Sequence, residues 1–216
     1  MATKLILCDD HKLFREGLRT LLERKPGLQV VAEAADGPAA VASAQSLRPD
    51  VVIMDISLPK LNGIESARRI LALCPDIKVV FLSMHSDRRF VKEALKAGAS
   101  AYLLKDAAFD ELFTALCAVM DGKTYLSPAI AQIVVSECIG QGSPADGAAF
   151  SVLTAREREV LQLLAEGRST KQIALHLRLS VKTIETHRMQ IMKKLNIHSI
   201  AGLTKYAIQE GIVSLS

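Results

Sequence analysis

Along the first 121 residues, short continuous apolar runs alternate with stretches whose apolar positions recur at helical spacing. Leu5-Ile6-Leu7, Val51-Val52-Ile53-Met54 and Val79-Val80-Phe81-Leu82 are too short for buried helices. They read as strands covered on both faces of a parallel sheet. The strands are predicted at Lys4–Cys8, Leu28–Ala34, Val51–Met54, Lys78–Ser83 and Ala101–Leu104. Between them, Phe14, Leu18, Leu21 and Leu22 form one stripe of a helix over His11–Arg24. An alanine-rich helix follows at Gly37–Leu47, then Ile64–Cys74 stopped by Pro75, and Asp87–Ala97 closed by Gly98. Phe109–Asp121 is the last of the set, with Phe109, Leu112, Phe113, Leu116 and Met120 on its predicted inner face. Five strands alternating with five helices predict an α/β, doubly wound, five-stranded parallel sheet over 3–121.

The pattern changes after Gly122. Ile130, Ile133, Val134 and Cys138 share a stripe in a possible helix over Pro128–Cys138, with Pro128 at its start. Residues 140–149 are small and rich in Gly and Pro, so 122–149 reads as a linker with a possible helix. From 150 to 216 the spacing becomes helical throughout. Thr154 with Glu157, and Ser169 with Gln172, are capping boxes that open two short helices. The first buries Val160, Leu161 and Leu164 and ends at Gly167; the second buries Ile173, Ala174 and Leu177. Arg178-Leu179-Ser180 is a tight turn without glycine. A third helix runs from Val181 to Leu195, with Ile184, Ile191 and Leu195 inward, and a fourth begins near Ser199 and ends near Gln209. Two short helices, a turn and a longer basic helix predict a small all-α helix-turn-helix domain.

Charge sharpens this division. Residues 150–216 hold 10 Lys and Arg against 5 Asp and Glu, whereas 1–149 hold 17 against 18. The basic third suits an anionic partner, and a solvated charged face is the plainer alternative. Cys8, Cys74, Cys117 and Cys138 are widely spaced in apolar contexts with no Cys-x-x-Cys pair, so each reads as a small core hydrophobe rather than a zinc or redox ligand. No apolar run reaches the roughly 18 residues of a membrane span. Asp9 and Asp10 come too early for a secretory signal, and a reduced, cytoplasmic location with no membrane partner is expected.

The candidate chemistry lies at the strand ends, the edge where open α/β sheets bind ligands. The first strand delivers Asp9 and Asp10, the third Asp55, the fourth Ser83 and the fifth Lys105. A single aspartate at such a place could be a solvated terminus. Three converging carboxylates repel one another unless a cation joins them. Mg²⁺ suits one or two carboxylates with a phosphate and waters, and Lys105 suits a phosphoryl oxygen as a compact charge. The first strand has no glycine fingerprint after it, which excludes the dinucleotide site that this fold often carries.

These residues, with Tyr102 and the Leu58-Pro59-Lys60-Leu61-Asn62-Gly63 turn, resemble the receiver domain of bacterial two-component response regulators, a flavodoxin-like fold. The resemblance implies that Asp55 attacks the phosphohistidine of a sensor histidine kinase. It implies that Asp10, Asp55 and the main-chain carbonyl of Ser57 hold Mg²⁺, with Asp9 helping through water. Ser83 and Lys105 would contact the phosphoryl group, and Tyr102 would rotate into space that Ser83 vacates. Many receivers carry proline after this lysine; here Asp106 stands there, leaving the Lys105–Asp106 peptide cis or trans. His85 reads as a solvated loop side chain, and His11 as the opening residue of the first helix.

Residues 152–214 resemble the LuxR-type helix-turn-helix, through Leu153–Leu161 and Ser180–Arg188, so the whole chain is similar to NarL/FixJ-type response regulators. That similarity implies that Lys182, Glu185, Thr186 and Met189 face bases in double-stranded promoter DNA. Thr183, His187, Arg188 and Lys193 would approach phosphates. Ala201 and Tyr206 become candidates for contact between two copies, a homodimer forming on phosphorylation or on DNA. Two alternatives remain open. An enzyme turning over phospho-aspartate would usually carry a second aspartate where Ser57 stands. A pure interaction module would not need the acidic pair and lysine.

Overall fold

The structure, a computed structural model, describes residues 2–106, 109–138 and 152–213. It divides into two compact units, 1–146 and 147–216.

The first unit runs β1 (Thr3–Cys8), α1 (Lys12–Glu23), β2 (Leu28–Ala34), α2 (Gly37–Leu47), β3 (Val51–Met54), α3 (Gly63–Leu73), β4 (Lys78–Ser83), α4 (Arg88–Lys96), β5 (Ala101–Leu104), α5 (Phe109–Met120), β6 (Tyr125–Leu126) and α6 (Pro128–Cys138). All strand pairs are parallel, in the order β2-β1-β3-β4-β5-β6. The alternation of side chains across the pleat splits the core in two. Ile6, Val52, Met54, Val79 and Phe81 pack with Ile64, Ile70, Phe90 and Val91 of α3 and α4 on one face. Leu5, Leu7, Val51, Ile53, Val80 and Leu82 pack with Leu22, Leu112, Leu116 and Val119 of α1 and α5 on the other.

Five expectations change. The sheet has a sixth strand, β6, whose two residues are too few to leave a periodic signal. α6 forms with Ile130 fully buried against the first core, so the start of the expected linker is built onto the sheet unit; the expected connector at 140–149 lies outside the described residues. On α5 the buried face is Leu112, Ala115, Leu116 and Val119, which leaves Met120 at the rim with 45% exposure. Leu21 of α1 is likewise 39% exposed, and Cys117 is exposed rather than a core residue, while Cys8 and Cys74 are buried as expected.

The second unit is four helices, α7 (Ala155–Ala165), α8 (Thr170–Leu177), α9 (Val181–Leu195) and α10 (Ile200–Gln209). Their core joins Leu153, Val160, Leu161, Ile173, Ile184, Ile191 and Leu203. Both capping boxes are formed, Thr154 with Glu157 and Ser169 with Gln172. The turn between α8 and α9 manages without glycine because Arg178 itself takes the left-handed conformation, at φ 53°. No helix among the described residues is long and apolar enough to cross a membrane.

Candidate functional site

Parallel register brings the acidic ends together. Cys8 pairs with Met54 and Met54 with Phe81, so Asp9 and Asp55 leave the sheet side by side. The Asp55 N–H donates to the Cys8 carbonyl at 2.8 Å, and the Lys105 N–H to the Ser83 carbonyl at 2.9 Å, which carries the ladder one residue past the strands. Asp55 is only 4% exposed. The Lys105 ammonium lies 2.7 Å from Asp9 Oδ2 and 2.7 Å from Asp55 Oδ2. Its Nζ also stands 4.9 Å over the Phe14 ring. Burial alone would lower the Lys105 pKa, but Asp55 and Asp9 outweigh it and the net shift is upward, so the ammonium stays charged. The Lys105–Asp106 peptide is trans.

That arrangement leaves two carboxylates and one ammonium with an unmet demand. Asp55 Oδ1 is buried and has no hydrogen-bond partner. Such an oxygen costs about 1–3 kcal/mol, more when charged, unless a ligand supplies the missing positive group. One ligand atom each from Asp9, Asp10, His11 and Asp55 lies within 4.8 Å of the others. The acidic pocket is thus compatible with a divalent cation, and the chemistry of its oxygens fits Mg²⁺.

The loop beyond β3 is held from both sides. Asn62 caps α3, its side chain accepting from the Glu65 N–H at 2.9 Å. A Cβ on Gly63 would sit 2.0 Å from the Asp55 carbonyl oxygen, and one on Gly37 would sit 2.0 Å from that of Leu61. Both glycines are needed for close backbone approach rather than for unusual torsions. Arg15 holds the other side, donating to the Asp9 carbonyl at 2.5 Å while pairing with Glu33 at 2.8 Å.

The remaining receiver residues form a hydrogen-bonded chain. Ser57 sits two residues past Asp55 with its hydroxyl 2.7 Å from His85 Nε2. His85 is therefore not a free loop side chain. It is half-buried, stacked on Phe90 with centroids 4.5 Å apart, and its N–H donates to Ser83 Oγ at 3.2 Å. Burial lowers its pKa against the opposing pull of Asp55 and Asp87. Tyr102 is already inside, 0% exposed, with its hydroxyl donating to the His85 carbonyl at 2.7 Å. Burial raises the Tyr102 pKa, so the hydroxyl remains a donor. The expected inward rotation has no outward starting point here.

On α9, Ile184 and Ile191 are fully buried, and Lys182, Glu185, Thr186, Met189 and Lys193 are exposed, Met189 at 65%. Thr183 is partly turned in, its Oγ1 2.7 Å from Ser180 Oγ at the cap. Arg188 is half-buried, and His187 lies on the inner flank with Nδ1 enclosed and unpartnered, which leaves only its other nitrogen for a phosphate. Tyr206 packs against the core, whereas Ala201 is exposed. Sequence reasoning missed Lys194, whose Nζ lies 2.7 Å from Glu157 Oε2. It also missed Arg156, which donates to the Leu177 carbonyl at 3.1 Å. Both tie the start of α7 to the helix-turn-helix.

Comparison with known proteins agrees with this architecture. Residues 5–117 match the response regulator receiver domain, and residues 151–207 match the bacterial regulatory proteins of the luxR family. The chain belongs to the two-component response regulators. This response regulator is 36% identical over 225 residues to the transcriptional regulatory protein DegU of Brevibacillus brevis, covering 98% of this chain and 95% of DegU. It is 36% identical over 214 residues to the oxygen regulatory protein NreC of Staphylococcus carnosus, covering 97% and 99%. A solved structure of RcsB from Salmonella enterica serovar Typhimurium, bound to promoter rprA in the presence of phosphomimetic BeF₃⁻, superposes with a TM-score of 0.63. The identity there is 26%, covering 95% of this chain and 98% of RcsB. A receiver followed by a LuxR-type domain makes this a NarL/FixJ-type response regulator, a DNA-binding transcription regulator whose receiver implies a histidine kinase partner. The family is one of regulators, generally not enzymes.

Proposed function

We propose that Asp55 is the phospho-acceptor and that its modification controls how two copies of this chain occupy promoter DNA. The observation that carries this is the state of Asp55 itself, buried, with Oδ2 on Lys105 and Oδ1 without a partner. A carboxylate is a weak nucleophile, so its reaction depends on positioning and charge neutralisation. Attack forms an O–P bond as the P–N bond of the kinase phosphohistidine breaks, and the electron pair returns to the kinase imidazole. Asp10, Asp55 and the Ser57 carbonyl would hold Mg²⁺, with Asp9 beside them; the ion supplies neutralisation of the phosphoryl oxygens. Lys105 moves its charge from Asp55 toward the phosphoryl group, and Ser83 donates its hydroxyl to a phosphoryl oxygen. Ser83 already touches the His85 N–H, and Tyr102 holds the His85 carbonyl, so a shift of Ser83 pulls on that loop.

The exposed row Lys182, Glu185, Thr186 and Met189 reads base edges, with Lys193, Arg188, Thr183 and the outer nitrogen of His187 toward phosphates. RcsB bound to promoter DNA supports that use of the second unit. A DNA partner also sets the location, the cytoplasm. The test is labelling with a small phosphodonor together with promoter occupancy. The native chain should take up one phosphoryl group and gain occupancy, and Asp55→Asn should do neither; a gain in that variant equal to the native one removes phosphorylation from the mechanism.

A further inference from the structure

We propose that His11 is a further donor in the receiver's cation site and that it gives the site a preference for first-row transition ions over Mg²⁺. This rests on the cation reading above and extends it to a residue outside the expected donors, Asp9, Asp10, Asp55 and Ser57. His11 stands immediately before α1, in extended conformation with φ −78° and ψ 96°, and its side chain makes no cap to that helix. Its N–H instead donates to Asp9 Oδ1 at 2.8 Å, which folds the turn back over the pocket. The ring follows. Nδ1 lies 2.9 Å from Asp10 Oδ1 and 3.2 Å from Asp9 Oδ1.

Those separations are what a shared ion requires. An octahedral ion with bonds of about 2.1 Å holds neighbouring donors ~3 Å apart and opposite donors ~4.2 Å apart. Every pair among the four ligand atoms, one each from Asp9, Asp10, His11 and Asp55, falls within 4.8 Å. Small side-chain shifts suffice to close the set. An acidic cluster alone would say little, but Asp55 belongs to it, and its buried, unpartnered Oδ1 calls independently for a positive ligand. Lys105 occupies only the Oδ2 atoms of Asp9 and Asp55, so it does not compete for that oxygen.

The consequence is one of metal class. Carboxylate and carbonyl oxygens suit Mg²⁺, whereas an imidazole nitrogen adds affinity for later first-row ions along the Irving–Williams order. Mg²⁺ draws little from nitrogen and dehydrates reluctantly, so His11 contributes little to holding it.

Calorimetric titration of the full chain with Mg²⁺ and with Co²⁺, in wild type, His11→Ala and His11→Asn, tests this. The native chain should bind Co²⁺ at least ~10-fold more tightly than Mg²⁺. Both variants should lose Co²⁺ affinity by ~10-fold or more while Mg²⁺ affinity stays within about twofold. His11→Asn keeps a neutral hydrogen-bonding side chain, so its agreement with His11→Ala ties the loss to the imidazole nitrogen. In proton NMR of the Co²⁺ form, one set of hyperfine-shifted imidazole ring protons present in the native chain should be lost in both variants, while any set from His85, beside Ser57, stays. An unchanged Co²⁺ to Mg²⁺ ratio, or a set of shifted ring protons that is the same in the variants as in the native chain, overturns the assignment of His11. Failure of the native chain to take up either ion at millimolar concentration overturns the cation reading beneath it.

Discussion

Lys105 is the residue on which the receiver pocket balances, because one ammonium compensates two buried carboxylates. Removing one partner of a buried ion pair costs about 3–5 kcal/mol, since the charge left behind is uncompensated. Lys105→Met should lower the chain's stability by about that amount in chelator, with part recovered when Mg²⁺ is added. Denaturant midpoints with and without the ion measure it, and a loss indifferent to Mg²⁺ would separate Asp9 and Asp55 from any cation. Gly63 makes a sterically different demand. Its Cα faces the Asp55 carbonyl so closely that an added Cβ would stand 2.0 Å away. In Gly63→Ala the carbonyl must move, and a misplacement near 1 Å can cost about 100-fold in rate. Phosphodonor labelling should fall on that scale while circular dichroism retains the helix content. The sequence exposes Asp9, Asp10, Asp55 and Lys105 because strand ends deliver them, and a strand end is visible as the stop of an apolar run. His11 and Arg15 were not legible in the same way, since a polar side chain carries no periodic sign of which way it bends. The buried position of Tyr102 was hidden too: its hydroxyl bond to the His85 carbonyl depends on a loop fold that no spacing records.

At the scale of elements, the capping box at the start of α7 is also a tether for α9. Glu157 Oε2 accepts from the Thr154 N–H at 2.8 Å and from Lys194 Nζ at 2.7 Å. Burial would raise the Glu157 pKa, but Lys194 and the Thr154 donors outweigh it and hold it below the ordinary carboxylate value. The sign follows from linkage. A folded pKa below the unfolded one gives stability that is present above the unfolded value and is lost as pH falls through the folded one. Melting of the second unit in the full chain should therefore weaken on acidification below the usual glutamate range. Glu157→Gln should start less stable at neutral pH and lose that part of the acid dependence, whereas a parallel acid slope would place the effect elsewhere. The turn between α8 and α9 carries the opposite kind of defect. A left-handed L-residue costs roughly 1–2 kcal/mol, so Arg178→Gly should raise the unfolding free energy by about 1 kcal/mol, read as a higher denaturant midpoint with an unchanged slope. Five strands and the four C-terminal helices were readable because apolar runs and capping boxes are local signals. β6 was not, being two residues long, and the rotation of α5 was not, because Phe113 and Met120 are as apolar as the residues that face the core. Phe113 instead packs under Lys25, whose Nζ stands 4.7 Å over its ring.

For the whole molecule, the question is how much one phosphoryl group on each copy can change DNA occupancy. The C-terminal third holds 10 Lys and Arg against 5 Asp and Glu, a modest excess that supplies mainly non-specific affinity. Arg188 and Lys193 are the cations of α9 placed toward phosphates in the proposed reading. Two phosphates neutralised per copy predict a slope of log affinity against log salt near −2, and two copies acting together predict about −4. A near-complete switch needs about 5.5 kcal/mol of differential stabilisation. A phosphoryl group makes about 1–3 new charge-assisted hydrogen bonds, some of which replace those Lys105 already gives to Asp55 and Asp9. One modified copy therefore shifts its equilibrium only partly, and two modified copies in a dimer add their shifts. The expected outcome is graded occupancy with a change in kind: titration of promoter DNA across salt concentrations should give a slope near −2 for Asp55→Asn, moving toward −4 for the native chain with phosphodonor. Equal slopes under both conditions would mean that phosphorylation changes affinity without recruiting a second copy, and the control would then lie within a single chain.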